Sequence, residues 1–143
     1  MIRVGIVDDH RLLVEGLAAY VNNSDVAQVV GFAFSRKECL ENIHFWNADV
    51  ILLDVSLPDG SGIDLCAELI SIFPSLKIMA LTTHNEYSVV KQMLDNGAQG
   101  YLIKNAMSEE VLEAIAAVYD GNKFLCHEVD LLLKLPEHEN IWL

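Results

Sequence analysis

The sequence predicts a doubly wound α/β sandwich, a parallel sheet with helices on both faces, and three observations lead there. First, the runs Val4-Gly5-Ile6-Val7, Val50-Ile51-Leu52-Leu53 and Ile78-Met79-Ala80-Leu81 are apolar without polar alternation. That is the pattern of strands covered on both sides. Second, segments with apolar residues at steps of three and four lie between the runs. Third, strand and helix alternate five times, and right-handed crossovers then distribute the helices over both faces of one sheet.

Taken in order, Ile2–Val7 reads as the first strand and Arg11–Asn22 as the first helix, with Leu13, Leu17 and Tyr20-Val21 as its apolar stripe. Ala27–Ala33 is the second strand. Ser35 and Glu38, three residues apart, form a capping box that opens a helix over Arg36–Trp46. Trp46 reads as a packing residue at its end. Ala48–Val55 is the third strand, followed by Gly62–Phe73, whose stripe is Ile63, Leu65-Cys66, Leu69 and Ile72-Phe73. Leu76–Thr82 is the fourth strand and Glu86–Asn96 the fourth helix, closed by Gly97. Gly100–Lys104 is the fifth strand. Ser108 caps Glu109–Asp120, the first-turn glutamates suit the helix dipole, and Gly121 ends the helix. Beyond it, Phe124-Leu125-Cys126 is apolar and His127–Leu135 suits a short helix, before Pro136 and a tail ending in Ile141-Trp142-Leu143. The division expected is one domain over residues 1–121 and a linker or docking tail over 122–143, with Trp142 as an anchor.

Composition narrows the function. The chain has 143 residues, 52% of them apolar, enough for one domain with a real core. Nine Lys and Arg against 21 Asp and Glu give a formal charge of −12, which repels phosphate backbones and argues against direct nucleic-acid binding. Cys39, Cys66 and Cys126 are scattered and odd in number, so they read as thiols in a reducing cytoplasm rather than as a disulfide framework or zinc site. No apolar stretch reaches a membrane span, and Ile2–Val7 is too short for a signal-peptide core. The expectation is a cytoplasmic protein without membrane contact.

In an open parallel sheet, ligands bind beyond the carboxyl ends of the strands. Asp8-Asp9 end the first strand, Asp54 the third, Thr82 the fourth and Lys104 the fifth, while the second supplies only Ser35, already used as a cap. Carboxylates gathered at one edge repel one another unless a cation neutralises them. Oxygen donors of this kind suit Mg²⁺, which binds one or two carboxylates and then phosphate oxygens. A carboxylate can also attack phosphorus and form an aspartyl phosphate. Each residue alone passes for a turn former, strand-end threonine or surface lysine. Together, on one edge, they point to phosphoryl chemistry. The five histidines are too dispersed for a metal-ligand motif; His84, two residues beyond Thr82, reads as a solvated loop residue, the alternative being a place near the phosphoryl site with an effect on its hydrolysis. For Tyr101, an edge aromatic with its hydroxyl in water is one reading.

The motifs Asp8-Asp9, Asp54-Val55-Ser56-Leu57-Pro58-Asp59-Gly60-Ser61-Gly62, Leu81-Thr82-Thr83 and Gly97-Ala98-Gln99-Gly100-Tyr101-Leu102-Ile103-Lys104 carry a resemblance. Over about residues 2–121 the chain resembles the receiver domain of bacterial two-component response regulators, most closely the NarL/FixJ subfamily. There a LuxR-type helix-turn-helix domain follows the receiver. The resemblance implies a flavodoxin-like five-stranded sheet in the order 2-1-3-4-5. It implies Asp54 as phosphoacceptor for a sensor histidine kinase. Mg²⁺ would be held by Asp8, Asp9, Asp54 and the backbone carbonyl of Ser56. Lys104 would pair with the phosphate, Thr82 would move to meet it, and Tyr101 would change rotamer. The fourth helix, fifth strand and fifth helix would be the readout face and a homodimer surface, controlling a transcription-regulating output domain. Asn105 stands where many receivers have a cis-proline after the lysine. The chain is expected not to be a multiple-turnover enzyme. One alternative is a Mg²⁺-dependent phosphohydrolase with an aspartyl-phosphate intermediate. Against it, Ser56 occupies the usual acid–base position, and no insertion forms a lid. The other is an interaction module independent of phosphate.

Overall fold

A computed structural model describes residues 1–105 and 108–135. The elements are β1 (Ile2–Val7), α1 (Arg11–Asn22), β2 (Ala27–Ala33), α2 (Arg36–Trp46), β3 (Val50–Leu53), β4 (Ser56–Leu57), β5 (Gly60–Ser61), α3 (Gly62–Ile72), β6 (Lys77–Thr82), α4 (Tyr87–Asp95), β7 (Gly100–Ile103), α5 (Ser108–Tyr119), β8 (Phe124–Leu125) and α6 (His127–Lys134). The main sheet runs β2-β1-β3-β6-β7-β8, parallel throughout.

The expected order 2-1-3-4-5 is therefore present in its first five strands, but the sheet has six. Phe124 and Leu125 pair with Gly100 and Tyr101. The N–H groups of Phe124 and Cys126 donate to the carbonyls of Gln99 and Tyr101. A two-residue strand has no periodicity of its own; only the open flank of β7 makes it one. The same applies to the β4–β5 hairpin, where Ser56 pairs with Ser61 and Leu57 with Gly60 across the Pro58-Asp59 turn.

Burial follows strand position. Every residue of β3 and β7 is buried, and β6 is buried from Ile78 onward. The edge strand β2 exposes Gln28 and Phe32. Helices α1 and α5 touch each other, as do α3 and α4, while α2 packs on β1 and β2. Trp46 lies across Gly5 and Gly31, whose missing side chains leave room for the indole. In α1, Val21 of the expected stripe is buried, together with Val14, which that stripe left out; Leu13, Leu17 and Tyr20 are half-buried. In α6 Val129 is fully buried, and Leu132 and Leu133 pack on the core.

The caps explain the helix starts. Ser35 Oγ accepts the Glu38 N–H, but the Glu38 carboxylate reaches back to the N–H of Phe34 rather than of Ser35. Asp59, from the distant hairpin, accepts the N–H groups of Lys37 and Arg36 at 2.9 and 2.7 Å. Those N–H bonds, that of Lys37 foremost, hold the Asp59 carboxyl below its ordinary value. Gly97 and Gly121 take positive φ, as their predicted stop positions require. The Ser108 side chain and the tail from Pro136 to Leu143, Trp142 included, lie outside what is described. Among the described residues no helix is long and apolar enough to cross a membrane.

Candidate functional site at the carboxyl rim of the sheet

Among the described residues the buried polar or charged side chains are Asp8, Asp54 and Thr82, at 2%, 4% and 0% exposure. All three sit at the carboxyl ends of strands. The sheet itself brings them together. The Asp54 N–H continues the ladder onto the Val7 carbonyl, so Asp54 lies beside the strand that leads into Asp8. The Asp8 N–H bonds the Ala33 carbonyl on the other flank. Lys104 N–H bonds the Thr82 carbonyl at 2.8 Å, which fixes the lysine backbone over the same rim. Gly62 completes the frame, because a Cβ there would collide with the Asp54 carbonyl oxygen. The Lys104–Asn105 bond is trans.

Buried carboxylates need a cation. Lys104 Nζ provides one, 2.9 Å from Asp8 Oδ2 and 3.0 Å from Asp54 Oδ2. Burial alone would lower the ammonium's pKa, but hydrogen bonds to and charges on Asp8 and Asp54 outweigh it and hold Lys104 above its ordinary value. Asp9 is exposed at the mouth. Asp8, Asp9, Asp54 and His10 each offer a donor atom, and these lie within 4.8 Å of one another, so the cluster can hold a metal ion. The three carboxylates are hard oxygen donors of the kind a small divalent cation takes. Ser56 lies two residues past Asp54, with its N–H 3.5 Å from Asp54 Oδ1.

Thr82 and Tyr101 meet through one loop residue. Thr82 Oγ1 accepts the N–H of His84 at 3.3 Å, and the Tyr101 hydroxyl donates to the His84 carbonyl at 2.6 Å. Tyr101 is fully buried, its hydroxyl bonded rather than in water, and burial pushes its pKa well up. The reading of Tyr101 as a wet edge aromatic is thereby replaced. For His84 the fold favours the alternative reading, a place near the site. Its Nε2 lies 2.7 Å from Ser56 Oγ, and its Nδ1 lies 3.5 Å from Glu86, so the ring spans the mouth of the site. His10 was given no role at the site, yet its Nδ1 lies 2.8 Å from Asp8 Oδ1. Its position directly after the acidic pair was the available signal. A groove of about 600 Å³ lies at the opposite rim among Ile43, Ile72, Lys77 and Tyr119. It gathers no such cluster.

A family model described as the response regulator receiver domain matches residues 4–116. The chain belongs to that family. Its relatives are response regulators of the NarL/FixJ and LuxR type, signalling proteins rather than multiple-turnover enzymes. The response regulator GacA of Pseudomonas viridiflava is 34% identical over 139 residues, which are 97% of this chain and 65% of that protein. The chain spans between 52% and 65% of the first curated relatives it matches. The isolated receiver domain of RcsB from Salmonella enterica serovar Typhimurium, with the phosphomimetic BeF₃⁻, superposes with a TM-score of 0.84 at 29% identity. That match covers 92% of this chain and 97% of that one. RcsB solved as two dimers bound to two parallel DNAs matches with a TM-score of 0.85 at 28% identity, over 98% of this chain and 73% of that one.

Proposed function

We propose that this receiver is a switch driven by phosphoryl transfer to Asp54 from the phosphohistidine of a sensor kinase. In the transfer an Asp54 carboxylate oxygen forms a bond to phosphorus while the phosphorus–nitrogen bond breaks. The leaving imidazole keeps the electron pair and takes up a proton. Asp8, Asp9, Asp54 and the Ser56 carbonyl would hold Mg²⁺, and bound there the ion supplies positive charge that offsets the phosphoryl oxygens. Lys104 is close enough to Asp54 to turn from the carboxylate to a phosphoryl oxygen. The observation that carries this reading is one buried carboxylate on a sheet rim, flanked by two more and by a lysine that contacts it.

The switch follows from hydrogen bonds already in place. Thr82 now serves the N–H of His84; a phosphoryl oxygen on Asp54 offers its hydroxyl another partner. A ligand shifts a two-state loop only through such differential bonding. Moving His84 also disturbs the carbonyl that fixes Tyr101. The readout is the face built by α4, β7 and α5, on which β8 and α6 now lie. Of the apolar side chains on these elements, Val90 belongs to the core, Tyr87 is half-buried and Tyr119 is exposed. Homodimerisation there therefore has to accommodate β8 and α6. In this reading residues 1–121 are the phosphoacceptor unit and 122–143 a docking segment, cytoplasmic, controlling a transcriptional output domain of the longer protein. Direct nucleic-acid contact is left to that domain.

The test is a mass measurement. With Mg²⁺ and a small acyl phosphate, the wild-type protein gains one phosphoryl group and Asp54→Asn gains none. Equal behaviour of the two proteins overturns the assignment.

A further inference from the structure

The β4–β5 hairpin forms a two-stranded sheet of its own, apart from the main one. A hairpin that short holds its shape only against other parts of the molecule. Its base enters the site. Ser56 has its N–H 3.5 Å from Asp54 Oδ1 and its Oγ 2.7 Å from His84 Nε2. Its tip rests elsewhere, on the N-terminus of α2.

Asp59, at that tip, is exposed, yet both of its carboxylate oxygens are engaged. Oδ1 accepts the Arg36 N–H at 2.7 Å and Oδ2 accepts the Lys37 N–H at 2.9 Å. These are the first two amides of α2, which the helix cannot satisfy itself and whose dipole favours a carboxylate. Ser35, on the helix's own flank, caps only the Glu38 N–H. Arg36 adds a second tie. A Cβ at Gly60 would lie 2.9 Å from Arg36 Cδ, so the glycine makes room for the arginine stem. The guanidinium then pairs with Glu68 of α3.

Exposed charge pairs usually contribute little. Here the place of the tie matters more than its strength. Only Leu57 and Pro58 separate Asp59 from Ser56; Leu57 is buried and Pro58 has its φ fixed by its ring. A displaced tip is therefore passed on to the Ser56 backbone instead of being absorbed. We propose that Asp59 is a positioning residue for the rim: by pinning the hairpin tip to α2 it sets the Ser56 carbonyl beside Asp54, and with it the affinity for Mg²⁺. The inference rests on the reading of that carbonyl as a donor to the ion, and it extends the site to an exposed side chain at the far end of the hairpin.

Calorimetry with Mg²⁺, phosphorylation by an acyl phosphate at varied Mg²⁺, and thermal unfolding of the whole chain test it. Asp59→Ala raises both the Mg²⁺ dissociation constant and the half-saturating Mg²⁺ for phosphorylation by about fivefold, while the rate at saturating Mg²⁺ stays within about twofold. Ser35→Ala removes a cap from the same helix without touching the hairpin. It lowers the melting temperature comparably and leaves both Mg²⁺ constants as in wild type. Asp59→Asn, which keeps one acceptor oxygen, falls between wild type and Asp59→Ala. Mg²⁺ constants unchanged in Asp59→Ala, or raised equally by Ser35→Ala, overturn the proposal and leave the reading of the rim intact. If wild type binds no Mg²⁺, that reading fails and takes the proposal with it.

Discussion

Asp8 and Asp54 at the carboxyl rim are buried like the middle of the sheet, yet burial does opposite things in the two places. In the middle, Ile51, Leu52, Leu53, Ile78 and Met79 lose water on both faces and gain contact in return. At the rim, a residue or two further along the same strands, Asp8 and Asp54 lose water and gain the Lys104 ammonium, with His10 bonded to Asp8 and the Ser56 N–H near Asp54. Interior packing is stabilising without further help. The rim is tolerable only while a cation is present, which makes it responsive to what binds.

Lys104→Met tests this contrast most severely. Removing the ammonium leaves two buried carboxylates unpaired, at a cost of about 3–5 kcal/mol. Urea unfolding without divalent ions should show that loss, and saturating Mg²⁺ should recover a large part of it. If the variant is as stable as wild type without ions, the two regions do not differ as described. Next, Leu52→Ala, in the middle of β3, should cost about 2–5 kcal/mol through the cavity it leaves. It should not alter affinity for divalent ions measured by calorimetry; a parallel loss would mean that middle and rim are one mechanical unit.

The smallest expected effect separates the regions by pH. Burial pushes the Cys66 thiol up to about 12. The unfolded thiol ionises near 9 while the folded one stays neutral, so its contribution is whole below pH 9 and lost as pH rises towards 12. The loss is on the order of 1–2 kcal/mol at pH 10.5. The Lys104 ammonium, itself held above its ordinary value, contributes at neutral pH and fails only above 10.5, as pH rises through its folded value. Unfolding of Cys66→Ala against pH should flatten the limb between 9 and 10.5 and leave the higher one. Identical limbs in both proteins would assign the alkaline loss elsewhere, Cys39 being the other thiol raised to about 12.

The two regions were also unequally legible in the sequence. The long strands stood out because burial on both faces leaves uninterrupted apolar runs, and helix bounds followed from Ser35, Gly97 and Gly121. Asp8, Asp54, Thr82 and Lys104 could be placed on one edge because each directly ends such a run or closes it. What escaped was whatever is defined by a partner instead of a pattern. Phe124-Leu125 is a strand only beside Gly100-Tyr101, and Ser56-Leu57 only beside Gly60-Ser61. In α1 the reading took Leu13 over its neighbour Val14, and packing against the sheet buries Val14 and leaves Leu13 half-buried. His10 and His84 are side chains partly in solvent whose roles come from neighbours 44 to 94 positions away for His10 (Asp54, Lys104) and 28 positions away for His84 (Ser56).

The sixth strand has one further consequence. A parallel sheet ordinarily offers two open flanks, and unpaired amides along them can recruit other chains. Here β8 replaces β7 as the outer strand along Gly100 and Tyr101, and with two residues it offers a short edge, whereas β2 on the other side runs seven residues with Phe32 exposed. Of these two edges among the described residues, the long one is the better template for pairing with a second molecule.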